Sequence, residues 1–292
     1  MTQRKPILQP RVSLATALWL CYLVFFPLQI AIAQEATTGA YEPPLFRQAV
    51  TGQLPALAPE AQVHLLADDD FAPFSFLSSS GAPAGLSVEL AMAACAEIKV
   101  RCTVTTLPFA EIMAALARGD GDVAIAGPRL DAATARLGLA TRPFFRTMGR
   151  FAVQTGNPLA ASDSASLASR RIGVAINTVH ARWLETYYKS AEIVPFDDAQ
   201  KAADALRTGN VDVLFGDNVQ LIYWASGEAS GGCCRLLGGA YSDFDAFSRN
   251  LVFLVRNDRP ELRTAFDWGL DMAQKNGATS RIIKAYLPLN PW

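Results

Sequence analysis

Few side chains in this sequence can do acid–base chemistry, and those that can are scattered. His64 and His180 are the two histidines; with Glu111 they are the candidates for a general acid. His64 falls on a strand expected to be buried, which makes it structural. No nucleophile elbow, phosphate loop or metal-ligand spacing occurs, so the expectation is no catalytic residue, no metal and no cofactor. Binding chemistry is better represented. Asp217 lies just beyond a short apolar strand, where its carboxylate can accept charge-assisted hydrogen bonds from an ammonium group. A solvated turn residue would look the same. Thr178 precedes a helix that begins near His180, so its hydroxyl and the nearby N–H groups can receive an anion. It can equally be a plain N-cap, and both can hold at once.

The elements that must position these groups are announced by a repeat. Leu116-Ala117-Arg118-Gly119-Asp120-Gly121-Asp122-Val123 returns as Leu206-Arg207-Thr208-Gly209-Asn210-Val211-Asp212-Val213. Each copy follows an Ala/Leu-rich helical stretch, breaks at a glycine suited to a left-handed helix C-cap, and resumes as an apolar strand, Asp122–Ala126 or Asp212–Phe215. Such helix–strand joints can match by chance, since Leu-x-x-Gly is a common cap. Read as a true duplication, they imply two parallel sheets covered on both faces, hence two similar α/β lobes. Ligands of open α/β sheets sit at the C-terminal ends of strands, which directs attention to a cleft between the lobes.

Strands are expected at Val63–Leu66, Val100–Thr105, Phe151–Gln154, Arg171–Ile176, Ile193–Pro195 and Leu251–Val255. Helices are expected at Leu86–Glu97, Phe109–Ala117, His180–Tyr188, Ala199–Leu206, Glu261–Asn276 and Ala278–Tyr286. The order fits one lobe interrupted by another, with residues 61–148 plus 249–292 forming the first and 149–248 the second. The chain would cross between them near Arg146–Phe151 and Asp245–Arg249.

The 292 residues suffice for two cores, and 26 basic against 27 acidic residues leave a formal net charge of −1. No basic run follows the first dozen residues, so nucleic acid is not an expected partner. Residues 1–33 read as a cleaved secretory signal: Arg4, Lys5 and Arg11 precede an apolar run, and Ala31-Ile32-Ala33 precedes Gln34. An uncleaved anchor is the alternative. Residues 34–60 read as an irregular leader. Cysteine usage agrees with export, because Cys95 and Cys102 flank a helix end and a strand start and can close a disulfide. Adjacent cysteines rarely form a ring, so Cys233 and Cys234 are expected as two thiols or one oxidised loop.

From Val63 to Leu287 the residues resemble the periplasmic solute-binding proteins of the polar amino-acid type, bacterial solute-binding protein family 3. The resemblance rests on Asp68-x-x-Phe71-Ala72-Pro73-Phe74, Gly85-Leu86-Ser87-Val88-Glu89-Leu90, the two Gly-x-x-Asp repeats, Ala140-Thr141-Arg142-Pro143-Phe144 and the closing helices. It implies a two-lobed type II, Venus-flytrap α/β fold. It also implies a periplasmic receptor that hands a small polar ligand to the membrane permease of an ABC importer, acting as a monomer. The lysine/arginine/ornithine- and histidine-binding proteins, which carry a disulfide at the Cys95–Cys102 spacing, place the ligand contacts on Asp68, Phe71, Phe109, Ala126, Gly127, Arg129, Thr134, Thr178, His180 and Asp217. Phe71 and Phe109 would wall the pocket. Thr134 stands where the family carries an arginine for the ligand carboxylate, and Arg129 can supply a guanidinium to the same anion. Arg136 is the other arginine nearby. A periplasmic dehydratase acting on a cyclohexadienyl ring, and a ligand-sensing partner of a membrane receptor, are the alternative functions on this fold.

Overall fold

The computed structural model describes residues 53–54, 57, 61–128, 131–243, 246–247 and 250–292. The expected signal peptide, most of the leader, Arg129, Asp245 and Arg249 lie outside the described residues. Among those described, no helix is long and apolar enough to cross a membrane.

Two five-stranded sheets organise the chain. The first has the order Arg101–Leu107, Gln62–Asp68, Val123–Ala124, Leu254–Val255 and Leu139–Ala140, and the second the order Glu192–Phe196, Arg171–Ala175, Val213–Asp217, Gly149–Gln154 and Cys234–Tyr241. The sheets are mixed rather than purely parallel. The three strands nearest each repeat run parallel, while Leu254–Val255 and Gly149–Gln154 return antiparallel. The reason is topological: where the chain changes sheets, each sheet receives a strand with no crossover helix of its own, which only an antiparallel partner accommodates.

Helices cover both faces of each sheet. Leu86–Ile98 and Pro260–Lys275 bury Leu90, Ala94, Ile98, Phe266 and Leu270 against one face of the first sheet. Phe109–Arg118 closes the other with Ile112 and Leu116. In the second sheet, Val179–Tyr187 packs Trp183 and Leu184 on one face, and Ala199–Arg207 with Asn218–Ser226 pack Ala202, Leu206, Leu221 and Trp224 on the other. The repeat is therefore structural. Gly119 and Gly209 adopt left-handed φ values of 84° and 78°, where an L side chain would clash with the backbone, and each releases the chain into the strand that extends its own sheet.

Three local expectations are corrected. Leu251–Val255 is not one strand: Asn250–Leu251 pairs with Phe145–Arg146 in a two-stranded ribbon, and Leu254–Val255 joins the first sheet. The chain turns between them because Phe253 N–H is taken by the Thr141 hydroxyl at 3.0 Å. His64 is exposed; the start of its strand alternates, so Val63 and Leu65 face the core while His64 Nδ1 meets the Thr103 hydroxyl at 2.9 Å. Cys233 and Cys234 are bonded to each other, with S–S 2.00 Å. They sit where a glycine-rich turn meets a strand, the Cys233 carbonyl accepting Thr155 N–H and Cys234 pairing with Gln154. The Cys95–Cys102 disulfide is present.

The crossings between lobes run through Phe145–Arg146 and Asn250–Leu251, held together by their ladder and by Arg146 Nε donating to Asn250 Oδ1 at 2.8 Å. A third link comes from the C-terminal residues. Arg150 Nη1 of the second sheet donates to the carbonyls of Asn290 and Trp292, and Asn218 Nδ2 donates to that of Pro291.

Candidate functional site

A cavity of about 430 Å³ opens where the C-terminal ends of strands from both sheets face each other. Phe71, Pro73 and Gly127 come from the first lobe, Asp217, Val219 and Gln220 from the second, and Thr147 and Leu251 from the crossings. Phe71 reaches it because Asp70–Phe71 pairs back on Ser75–Leu77 in a small three-stranded flap, where its ring stacks on Phe74 at 5.1 Å. Gly127 lies three residues beyond Val123–Ala124, at the C-terminal end of that strand.

Asp217 is the residue that ties the site together. It ends the strand of the second repeat and caps the following helix, its Oδ1 accepting the N–H groups of Val219 at 3.0 Å and Gln220 at 3.1 Å. The cap fixes the orientation of the carboxylate at the mouth of the cleft. Asp217 also lines a second cavity of about 400 Å³, inside the second lobe, with Thr178 and His180. Thr178 is the N-cap of Val179–Tyr187: its hydroxyl accepts Ala181 N–H at 3.1 Å and donates to the Ala175 carbonyl at 2.8 Å. The His180 ring stacks on Phe247, centroids 5.1 Å apart, which fixes it at the rim.

The remaining expected contacts are distributed elsewhere. Ala126 is fully buried and packs with Ile112 and Leu254. Asp68 is 7% exposed; burial pushes its carboxyl above the ordinary range, and its Oδ1 accepts Asp70 N–H, shaping the flap. Phe109 opens its helix after Pro108, is 49% exposed and lines neither cavity. The Thr134 hydroxyl donates to Asp131 Oδ1 at 3.1 Å within its own turn. Arg136 lines a surface depression with Arg118, Gly119 and Arg256. That depression adjoins the turn before Val123–Ala124, at the opposite end of the strand from Gly127.

Sequence reasoning missed Thr147, Gln220, Leu251 and Trp224 as lining residues. Gln220 had a signal: it stands three residues beyond Asp217, the spacing that puts an N-cap and the first helical turn on one side.

A family model described as bacterial extracellular solute-binding proteins, family 3, matches residues 63–288. The chain belongs to that family. Among its relatives are the putative ABC transporter arginine-binding protein 2 of Escherichia coli, 24% identical over 77% of this chain and 90% of its own length. The L-arginine-binding protein of Pseudomonas aeruginosa is 25% identical over 80% and 90%. The second substrate-binding domain of Lactococcus lactis GlnP, solved in an open conformation, superimposes with a TM-score of 0.67 at 19% identity, covering 81% of this chain and 99% of that domain. The fold is the two-lobed type II fold of periplasmic amino-acid-binding proteins, and the named relatives are binding proteins.

Proposed function

We propose that the chain is the periplasmic receptor of an ABC importer, not an enzyme, and that it captures a small ammonium-bearing solute, an amino acid or related carboxylate, between its lobes. The observation that carries this reading is the single cavity lined by Phe71 and Gly127 from one lobe and Asp217 from the other. Asp217 accepts the ligand ammonium, Phe71 covers the ligand's body, Thr178 and His180 contribute from the second lobe, and Arg129 holds the anionic end. The names of the relatives support an importer partner and an amino-acid ligand. The dehydratase alternative gains nothing from His64, exposed and hydrogen-bonded to Thr103 at the N-terminal end of its strand.

Native mass spectrometry of protein purified without refolding identifies any retained metabolite, and calorimetry on Asp217→Ala tests its anchor. Losing one partner of a desolvated charged hydrogen bond costs a few kcal/mol, so binding should weaken by roughly a hundredfold or more. Unchanged affinity in Asp217→Ala would overturn the assignment.

A further inference from the structure

The cavity inside the second lobe is larger than a ligand headgroup needs and has a different chemistry from the cleft. It shares Asp217 and Gln220 with the cleft cavity, so a solute whose ammonium meets Asp217 stands at the mouth of both. Beyond that mouth the walls are mainly apolar, with Thr178, His180 and Gln200 the polar exceptions among the described residues. The helix Ala199–Arg207 turns Ala199, Ala202 and Ala203 toward the space, and Leu221 and Trp224 face it from Asn218–Ser226.

Positions i, i+3 and i+4 share one helix face, and alanine at all three ends each side chain at Cβ. Two of them, Ala202 and Ala203, are 1% and 4% exposed. Interiors are otherwise close-packed, with voids rarely larger than a water molecule; about 400 Å³ beside the ammonium partner is the size of a ligand subsite. Among the described residues, Asp217 is the one carboxylate in this lining, and none of them that line it is a lysine or arginine. A distal guanidinium or ammonium directed inward would be desolvated without a counter-charge of its own, which is costly. An alkyl or aryl group would gain from the same burial.

We infer that the captured solute directs an apolar arm into the second lobe, between the Ala199–Arg207 and Asn218–Ser226 helices, and that this cavity selects amino acids with alkyl or aryl side chains over cationic ones. The inference rests on the receptor reading with Asp217 as the ammonium partner. It names the wall that sets specificity: the alanine face of one helix, not the aromatic flap of the first lobe.

The test titrates the whole protein with L-alanine, L-leucine, L-phenylalanine and L-arginine. L-leucine and L-phenylalanine should bind about tenfold to a hundredfold more tightly than L-alanine, and L-arginine should gain no such advantage. Filling the cavity with Ala203→Leu should bring the phenylalanine-to-alanine affinity ratio close to one. Ala199→Leu, at an exposed first-turn position where folding is not at stake, should reduce the same ratio, and quenching of Trp224 fluorescence that is lost in Trp224→Phe locates the arm. If L-arginine binds most tightly, or the ratio is the same in all variants, the cavity takes no arm; the receptor reading then still stands provided Asp217→Ala abolishes binding. If Asp217→Ala leaves every affinity unchanged, or none of the four amino acids binds, the receptor reading with its Asp217 anchor fails and the inference falls with it.

Discussion

The Asp122 carboxylate accepts the backbone N–H of His64 at 2.9 Å, while the Asp122 N–H donates to the His64 carbonyl at 2.8 Å. The second repeat makes the same exchange: Asp212 Oδ2 accepts Arg171 N–H at 3.0 Å and Asp212 N–H donates to the Arg171 carbonyl at 3.0 Å. The aspartate of each Gly-x-x-Asp motif thus pins the start of one parallel strand to the start of its neighbour. The two lobes are built alike at the end of the sheet remote from the cleft.

Asp122→Ala should destabilise the protein by about 1–3 kcal/mol, because it strands the His64 amide and removes a partner of Arg259, whose Nη1 lies 3.1 Å from a carboxylate only 9% exposed. Denaturant unfolding measures the loss. A midpoint identical to that of the parent would show the pin to be dispensable.

The Asp212 pin should be sensitive to acid. Hydrogen bonding from the Arg171 side chain holds the Asp212 carboxyl below the usual carboxylate range. A folded-state value below that of the unfolded chain gives stabilisation that is present above pH ~4 and lost as pH falls through the folded value. The difference in Tm between the protein and Asp212→Asn should therefore be largest near neutrality and shrink below pH ~4. A difference that widened toward acid would contradict it.

The bridge between Cys95 and Cys102 closes a short loop between a helix and the strand that follows it. Replacing both cysteines by alanine should cost about 2–3 kcal/mol through the freed unfolded chain. Alkylation under denaturing, non-reducing conditions should label none of Cys95, Cys102, Cys233 and Cys234, and mass mapping reads all four at once.

Arg129 and Arg136 should part company in binding. Arg136 is exposed beside Arg118 and Arg256, at the wrong end of the first sheet for the cleft, so Arg136→Ala should change ligand affinity by no more than about twofold. Arg129→Ala should weaken it by roughly a hundredfold. The reverse ranking, measured by calorimetry, would move the anion site to a different threading of this loop.

What was legible in the sequence was local. The helices Leu86–Ile98, Phe109–Arg118 and Ala199–Arg207, and the strands that follow Gly119 and Gly209, are fixed by side-chain periodicity and by caps a few residues away, so the lobes could be read from one chain. Periodicity also misled locally: Leu251–Val255 is one apolar run whose two halves serve different sheets, because its partners, Phe145 and Ala124, lie more than a hundred residues away. Exposure of His64 and bonding of Cys233 to Cys234 were likewise visible only in the tertiary structure. The site shows the division most sharply. Asp217 and Thr178 stand out in sequence as residues at a strand end and a helix start, but only the tertiary structure sets Phe71 and Gly127 opposite Asp217 and carries Arg136 to the far end of its sheet. It also leaves three alanines of one helix facing a void beside the Asp217 carboxylate. A cap is a contact between near neighbours and is written where it acts; a cavity is the space that distant segments fail to fill, and no short stretch of sequence contains it.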